Sequence, residues 1–320
     1  YIKMKVLAND GLSQSGVQLL KDAGFEVIIK KVAQDQLEDY LKNNGISVLL
    51  VRSATEVRKN IIDNCIHLKV IGRGGVGMDN IDVEYARSKG ITVINTPEAS
   101  SASVAELVFA HLFGGARKLH DSNRNMPLEG DSRFKDLKKS YAGGSELRGK
   151  TLGIIGLGRI GREVAKIALG VGMRVVASDK EVGETEITLD FYTDQKVTIP
   201  IKTEPVEQLI EHADFISLHV PAQSKPIIGK AEFDKMKKGV GIINTARGGI
   251  LDEEALLVAI EEEKVSFAAL DTFENEPSPA IKLLMNESIS LSPHIGAATS
   301  EAQERIGEEL AHQIIKIFKK

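Results

Sequence analysis

The sequence of 320 residues has little of several features that define specialised protein classes. Its single cysteine, Cys65, cannot form an intramolecular disulfide, and we expect it to be a buried structural thiol. No cluster of cysteine and histidine has metal-ligand spacing, so no metal site is predicted. No apolar run approaches the about 18 residues that cross a bilayer, and the polar start of the chain is unlike a signal peptide. We therefore expect a cytoplasmic protein without membrane contact.

A strong charge of either sign is also absent. The net charge of -4 and the isoelectric point near 6.1 disfavour a nucleic-acid or membrane surface as partner. With 42% hydrophobic and 27% charged residues, the chain has enough apolar surface to fold. Because 320 residues are many for one core, two domains are expected, with small molecules as their partners.

A glycine-rich segment, 156–161, has glycine at its first, third and sixth positions. An apolar run, 150–155, precedes it, a helical pattern over 162–169 follows, and Asp179 ends the next apolar run. Such a turn brings backbone N–H groups and a positive helix end against a pyrophosphate. The acidic residue would accept hydrogen bonds from ribose hydroxyls and repel a 2′-phosphate. The segment therefore predicts NAD rather than NADP as cofactor, with a glycine-rich turn or helix cap as the alternative.

Short apolar runs alternate with helical patterns along the whole chain. Glycines at 24, 90, 172 and 239 each stand between a helical pattern and the following run, where a left-handed helix cap fits. Strands that are separated by helices run parallel with right-handed crossovers. The predicted fold class is α/β, with two Rossmann-like domains, parallel sheets and an inter-domain cleft for ligands.

The position of the glycine-rich segment in mid-chain sets the predicted domain borders. We expect 1–95 with 293–320 to form a substrate-binding domain and 96–292 to form an NAD-binding Rossmann domain. The apolar stripe of a last helix, 300–318, is expected to pack on the first domain. The segment 187–202 is an insertion whose alternating pattern predicts a β-hairpin, with a solvated loop as the alternative.

Further motifs are spread over nearly the whole chain. They are Val-Arg-Ser-Ala-Thr at 51–55, Gly-Arg-Gly-Gly-Val-Gly-Met-Asp-Asn-Ile-Asp at 72–82, Asn-Thr-Pro at 95–97, Ser-Val-Ala-Glu-Leu at 103–107, Glu-Leu-Arg-Gly-Lys-Thr-Leu-Gly at 146–153, Asn-Thr-Ala-Arg-Gly-Gly at 244–249, Ala-Leu-Asp-Thr-Phe at 269–273 and Ser-Pro-His-Ile-Gly-Ala-Ala-Thr at 292–299. Together with 156–161 they resemble the D-2-hydroxyacid dehydrogenase family. The segment 300–309 is similar to the phosphoglycerate dehydrogenase branch, in a short form without a C-terminal regulatory domain.

The resemblance implies three catalytic residues, Arg247, Glu276 and His294. His294 would be the base that removes the hydroxyl proton of a secondary alcohol. Glu276 would orient the imidazole and favour its protonated form. Arg247 would bind the substrate carboxylate and polarise the carbonyl through its planar, permanently charged group. Taken singly, a surface ion pair, a solvated loop residue and a turn cap are the alternatives.

The resemblance also implies a wider set of contacts. The residues expected to bind NAD are Gly156, Gly158, Arg159, Ile160, Gly161, Asp179, Val220, Thr245, Ala246, Arg247, Asp271, His294, Gly296 and Ala297, with Asp271 facing the nicotinamide amide. The residues expected to bind the substrate are Arg52, Ser53, Arg73, Gly74, Gly75, Val76, Arg247 and His294. The turn 74–76 would be an anion nest, and Arg52 and Arg73 would meet a phosphate, helped by the basic run 133–139. Core packing of Val220 and a plain glycine turn are the alternatives.

The function implied is the NAD-dependent oxidation of 3-phospho-D-glycerate to 3-phosphohydroxypyruvate, in serine biosynthesis. The family also implies a homodimer formed through 103–141. Glu56 and Ser100 differ from the residues that are common in the phosphoglycerate dehydrogenase branch, and they weaken the assignment of a phosphorylated substrate. Another D-2-hydroxyacid dehydrogenase, such as a glyoxylate or hydroxypyruvate reductase, and an NADH-binding co-repressor-like protein therefore stay as alternatives.

Overall fold

A computed structural model describes residues 4–319, which divide into two compact units. One unit contains the described residues up to Ser103 together with those from Ala297 onward, and the other contains Val104–Gly296. Each unit has its own parallel sheet, so the predicted α/β class with parallel sheets is confirmed.

The sheet of the first unit has five parallel strands. They are β1 (Lys5–Ala8), β2 (Glu26–Ile29), β3 (Ile46–Val51), β4 (Val70–Arg73) and β5 (Thr92–Asn95), in the spatial order β2-β1-β3-β4-β5. The helices of this unit are α1 (Gln14–Asp22), α2 (Leu37–Asn44), α3 (Lys59–Asn64), α4 (Val83–Ser88) and the last helix of the chain, α13 (Ser300–Phe318).

Both faces of this sheet are covered because apolar side chains alternate along its strands. On β1, Leu7 belongs to the core shared with α2, α3 and α4, while Val6 and Ala8 belong to the core shared with α1 and α13. Helices α1 and α13 approach closely at Gly16, where an added Cβ would lie 2.6 Å from the carbonyl oxygen of Gly307. The last helix has the predicted bounds and buries its apolar stripe in this unit.

The second unit contains the remaining elements. Its strands are β6 (Thr151–Ile155), β7 (Arg174–Ser178), β8 (Glu184–Asp190), β9 (Lys196–Lys202), β10 (Phe215–Leu218), β11 (Val240–Asn244), β12 (Val265–Leu270) and β13 (Ile289–Leu291). Its helices are α5 (Ser101–Ala116), whose first turn lies at the border between the units, α6 (Leu119–Glu129), α7 (Phe134–Ser140), α8 (Arg159–Val171), α9 (Val206–His212), α10 (Lys230–Lys235), α11 (Glu253–Glu261) and α12 (Ile281–Leu284).

Six of these strands form a parallel sheet in the order β13-β12-β11-β10-β6-β7. The chain moves outward in one direction from β6 to β7 and in the other from β10 to β13. The adjacent carboxyl ends of β6 and β10 therefore form the switch point at which ligands bind in open α/β sheets. The glycine-rich segment follows β6 directly.

Several local predictions can be compared directly with the structure. Strands β8 and β9 pair antiparallel, which confirms the hairpin. The four predicted cap glycines all have positive φ, between +79° and +94°. Helix α8 begins at Arg159, earlier than the predicted 162, because Gly158 is its N-cap. Strand β10 ends at Leu218, so Val220 lies in the following loop. The basic run 133–139 lies largely in α7.

Candidate active site

The three glycines of the segment 156–161 differ in what surrounds them. Gly156 has φ +100°, and an added Cβ would lie 2.4 Å from the carbonyl oxygen of His219. At Gly161 an added Cβ would lie 2.1 Å from the carbonyl oxygen of Gly156. At Gly158 it would meet nothing within 4 Å. The first and last glycines thus permit the tight turn and the close helix packing, while the middle glycine leaves open space at the start of α8.

These surroundings fit a dinucleotide. The open space at Gly158 is where a pyrophosphate must approach the backbone, next to the amides of the first turn of α8. Val220 lies beside the turn, since its Cγ1 would be 3.0 Å from a Cβ at Gly156. The buried hydroxyl of Thr245 has no hydrogen-bond partner within residues 4–319, as expected for a group that a bound ligand would satisfy.

Asp179 follows β7 and holds the glycine turn through backbone amides. Its Oδ2 accepts a hydrogen bond from the amide of Leu157 at 2.7 Å, and its Oδ1 accepts from the amides of Glu181 and Val182. Burial is the largest single influence on the pKa of the Asp179 carboxyl and raises it, but the three amides and the nearby Arg162 together outweigh burial and lower the pKa below its usual value. The carboxylate is therefore fixed at the strand end next to the turn. Its contact with a ribose stays a prediction.

Glu276 and His294 are in direct contact. Nδ1 of His294 lies 2.8 Å from Oε2 of Glu276, while Oε1 of Glu276 accepts a hydrogen bond from the amide of Phe273 at 3.0 Å. The two side chains are 35% and 36% exposed. His294 also has φ +53°, a conformation that costs energy for a residue with a Cβ and that often marks functional sites.

Asp271 holds the loop that carries His294. Its Oδ1 accepts hydrogen bonds from the Ser292 hydroxyl at 2.6 Å and the Ile295 amide at 2.8 Å, and its Oδ2 accepts from the Gly296 amide at 2.9 Å. The side chain is buried. The predicted contact of Asp271 with the nicotinamide amide is not tested by these bonds.

The loop after β11 carries Arg247. Its Nη1 donates to the carbonyl oxygen of Ala246 at 2.6 Å, and the side chain of Asn244 bonds the backbone of Ala246 and Arg247. An added Cβ at Gly248 would lie 1.9 Å from the carbonyl oxygen of Phe273. Only glycine permits this approach, which brings the loop after β11 against the loop that leads to Glu276.

In the first unit, Arg52 follows β3 and its side chain is half-buried. Within residues 4–319 its guanidinium makes no hydrogen bond or ion pair. Burial lowers the pKa of Arg52, and the charge of Asp10 opposes this effect. Asp10 itself is bound by Lys31, the Arg52 amide and Thr55. Arg52 and Ser53 line an open cavity of about 510 Å³ with Asp10 and Lys31.

Glu56, which differs from the pattern of the phosphoglycerate branch, binds a residue other than Arg52. Its Oε1 pairs with Nη2 of Arg58 at 3.1 Å, and its amide is bound by the side chain of Gln34. Arg58 also pairs with Asp82. Glu56 therefore does not neutralise Arg52.

The turn 74–76 follows β4. Gly75 has φ +139°, and an added Cβ would overlap the guanidinium of Arg73, whose Nη1 donates to the carbonyl oxygen of Gly74 at 3.1 Å. Within residues 4–319 the amides of Gly75 and Val76 have no hydrogen-bond partner. Two adjacent amides of this kind have the geometry of an anion nest.

Two histidines, one buried and one partly buried, were not predicted as parts of a site. His111 contacts Ser290 and Ser292, and the latter bonds to Asp271. His219 contacts Ser217, and burial lowers its pKa to about 3. For His111 a sequence signal existed, because a histidine on the buried face of a helix as apolar as α5 needs a polar partner.

Across the described range, no group of three or more His, Cys, Asp or Glu side chains is arranged to hold a metal ion. Among the helices in residues 4–319, none has both the length and the apolar character to span a membrane.

Residues 109–296 match the family model "D-isomer specific 2-hydroxyacid dehydrogenase, NAD binding domain". Hydroxypyruvate reductase of Thermotoga maritima is 42% identical over 320 residues, covering 98% of each chain. D-3-phosphoglycerate dehydrogenase of Methanocaldococcus jannaschii is 40% identical over 324 residues, covering 99% of this chain and 58% of that protein. The structure is similar to NAD⁺-bound 3-phosphoglycerate dehydrogenase of Entamoeba histolytica, with a TM-score of 0.77, 29% identity and coverage of 99% and 96%.

These comparisons confirm the predicted Rossmann-like domains and NAD as the cofactor. They also confirm that the protein is an oxidoreductase that acts on a CH–OH donor. The relatives differ in the substrate that their names give, and the chain spans a little over half the length of the D-3-phosphoglycerate dehydrogenases of Methanocaldococcus jannaschii and Bacillus subtilis.

Proposed function

Because the chain belongs to the D-isomer specific 2-hydroxyacid dehydrogenases, we propose that it oxidises 3-phospho-D-glycerate to 3-phosphohydroxypyruvate. The single observation that carries the choice of substrate is the half-buried guanidinium of Arg52, which makes no hydrogen bond or ion pair within residues 4–319. A charge in this setting is stabilised by an anion, and a phosphate offers two negative charges and a geometry that suits arginine. The amides of Gly75 and Val76 would bind the substrate carboxylate.

The proposed chemistry follows from the pair formed by Glu276 and His294. Since a carboxylate only accepts hydrogen bonds, Nδ1 of His294 carries the proton in their 2.8 Å contact, and Nε2 is free to act as a base. Nε2 takes the hydroxyl proton as the C–H bond breaks, and the carbonyl forms. Bound NAD supplies the acceptor for the hydride. Glu276 stabilises the imidazolium that results, and Arg247 binds the carboxylate and polarises the new carbonyl.

The proposal is tested by initial rates of the purified protein with NAD. We expect kcat/KM for 3-phospho-D-glycerate to exceed that for D-glycerate by about 100-fold, since a desolvated charge-assisted contact contributes roughly 1.5–3 kcal/mol or more. Equal values for the two substrates would overturn the assignment to the phosphorylated acid. No turnover of any 2-hydroxyacid would favour the co-repressor-like alternative.

A second candidate is the reduction of hydroxypyruvate or glyoxylate. It is supported by the relative from Thermotoga maritima, which is covered almost completely by this chain. Rates of NADH oxidation with hydroxypyruvate and with 3-phosphohydroxypyruvate, measured side by side, separate the two candidates. The prediction of a role in serine biosynthesis depends on the first candidate, and the cytoplasmic location stays a prediction.

The role proposed for Glu276 is tested by Glu276→Gln, which keeps the side-chain shape and removes the charge. The neutral amide should weaken the stabilisation of the imidazolium and change the acid limb of the pH profile of kcat/KM. A profile identical to that of the unaltered protein would show that Glu276 does not act on His294.

We also propose a homodimer formed through residues 103–141. Five large apolar side chains of this segment are between 42% and 76% exposed, namely Phe113, Leu119, Met126, Leu128 and Phe134. Exposed apolar side chains grouped in one segment are typical of an interface. Sedimentation of the unaltered protein should give a dimer, and Leu128→Glu should give monomers. A monomeric unaltered protein at micromolar concentration would contradict this proposal.

A further inference from the structure

Four buried polar side chains form one chain of hydrogen bonds that ends at the loop of His294. Nδ1 of His111 lies 2.8 Å from the hydroxyl of Ser290, and its Nε2 lies 2.9 Å from the hydroxyl of Ser292. Ser292 donates to Asp271 at 2.6 Å. All four side chains are buried. Buried polar groups are stable only when they are paired, so the four groups constrain one another.

The position of each proton follows from the carboxylate at one end. Asp271 accepts the hydroxyl proton of Ser292, so the Ser292 oxygen is left to accept a hydrogen bond from Nε2–H of His111. In a neutral ring Nδ1 then has no proton and accepts from the hydroxyl of Ser290. Burial lowers the pKa of His111, with Asp271 opposing this effect and His120 adding to it. When His111 is neutral and carries its proton on Nε2, each of the four side chains has a hydrogen-bond partner.

The same carboxylate fixes the loop on both sides of His294. Asp271 binds Ser292 before it and the amides of Ile295 and Gly296 after it. His294 keeps φ +53° between these contacts, and such a conformation persists only where the surroundings determine it. The direction of the Ser292 hydroxyl is one of these determinants, and His111 sets it.

We propose that His111 is a positioning residue for His294, acting through Ser292 and Asp271. The inference rests on the proposed role of His294 as the base. Without the Nε2–H of His111, the Ser292 hydroxyl loses its second partner, and the bond that fixes the loop to Asp271 weakens. Nδ1 of His294 then loses its alignment with Glu276.

The test uses two substitutions of different chemistry. His111→Leu removes both nitrogens, and we expect kcat to fall about tenfold while KM for the 2-hydroxyacid and Kd for NADH change less than about threefold. His111→Gln keeps an N–H donor near the position of Nε2 and should recover most of the rate. Ser217→Ala is the control, because it removes the hydroxyl 2.8 Å from a second histidine, the partly buried His219. The control should leave kcat within about twofold of the unaltered value.

A double-mutant comparison tests the route through Ser292. Ser292→Ala should lower kcat as His111→Leu does, and combining the two should lower it by less than a further factor of about two, as expected for coupled groups. Multiplicative effects would overturn the proposal. If His111→Leu does not fold, the other two variants test the proposal. It requires a lower kcat in Ser292→Ala and a near-normal kcat in His111→Gln.

Imidazole nitrogen NMR of the protein without ligand gives a readout that is independent of turnover. His111 should be neutral with its proton on Nε2, and the hydrogen-bonded Nδ1–H signal of His294 should be lost or shifted in His111→Leu. A proton on Nδ1 of His111, or an unchanged His294 signal, would overturn the proposal. If His294→Ala is inactive and His111→Leu is normal, this inference alone fails. If His294→Ala is active, the proposed function fails.

Discussion

The two glycines at 158 and 161 give opposite predictions for the same substitution. An alanine Cβ at Gly158 would meet nothing within 4 Å, whereas at Gly161 it would lie 2.1 Å from the carbonyl oxygen of Gly156. Gly158→Ala should therefore leave the folded protein intact and place a methyl group where the pyrophosphate approaches. Gly161→Ala should instead destabilise the protein itself.

The magnitudes follow from these contacts. At Gly158, φ is -73°, so alanine adopts the conformation, and the loss of glycine at an N-cap is offset by lower chain entropy, leaving a change within about 1 kcal/mol. At Gly161, overpacking against a backbone oxygen costs up to about 3 kcal/mol, and the better helix propensity of alanine returns about 1 kcal/mol. We expect a net loss of about 2 kcal/mol. Loss of one or two hydrogen bonds to a charged pyrophosphate raises Kd for NAD by about 10-fold to 100-fold in Gly158→Ala.

Two measurements separate these effects. Denaturant unfolding without ligand gives the stability of each variant, and calorimetric titration with NADH gives Kd. Gly158→Ala should unfold like the unaltered protein and bind NADH weakly. If Gly158→Ala bound NADH with unaltered affinity, the amides at the start of α8 would not be in contact with the pyrophosphate, and the assignment of the cofactor site would be refuted.

Three further predictions concern other residues. Asp179→Ala should raise Kd for NAD about tenfold and narrow the preference for NAD over NADP, because both the ribose contact and the repulsion of a 2′-phosphate are lost. Equal kcat/KM for the two cofactors in the unaltered protein would contradict this prediction. Arg52→Ala should raise KM for 3-phospho-D-glycerate about 100-fold and should change KM for D-glycerate little. The same substitution at Arg58, which is paired with Glu56, serves as the control. Equal changes with both acids would show that Arg52 does not bind the phosphate. Burial raises the pKa of the Cys65 thiol to about 11, so thiol reagents should label the folded protein slowly at pH 8 and the unfolded protein fast, and equal rates would contradict the buried position.

Much of the fold followed from local patterns whose physical cause acts within a few residues. The positive φ of Gly172 depends on the local backbone, and the alternation of apolar and polar residues in 187–199 reflects the two-residue side-chain period of a strand. Both predictions were confirmed. The error in one helix boundary has a local cause as well. Helix α8 begins at Arg159 rather than at the predicted 162 because Gly158 can cap it.

The candidate site was predictable only in part. The contact between Glu276 and His294 matches what the resemblance implied, although their catalytic role stays a proposal. The contact of His111 with Ser292 joins residues 181 positions apart, and no local pattern specifies such a pair. Likewise, the sequence did not reveal that Glu56 pairs with Arg58, or that the guanidinium of Arg52 makes no hydrogen bond or ion pair within residues 4–319.

The most direct test of the account compares NAD reduction by the unaltered protein and by His294→Ala, with 3-phospho-D-glycerate as substrate. The account predicts turnover by the unaltered protein and a loss of about 10²-fold to 10⁴-fold in kcat when the base is removed, with Kd for NADH unchanged. Near-normal kcat in His294→Ala would contradict the assignment of His294 as the base.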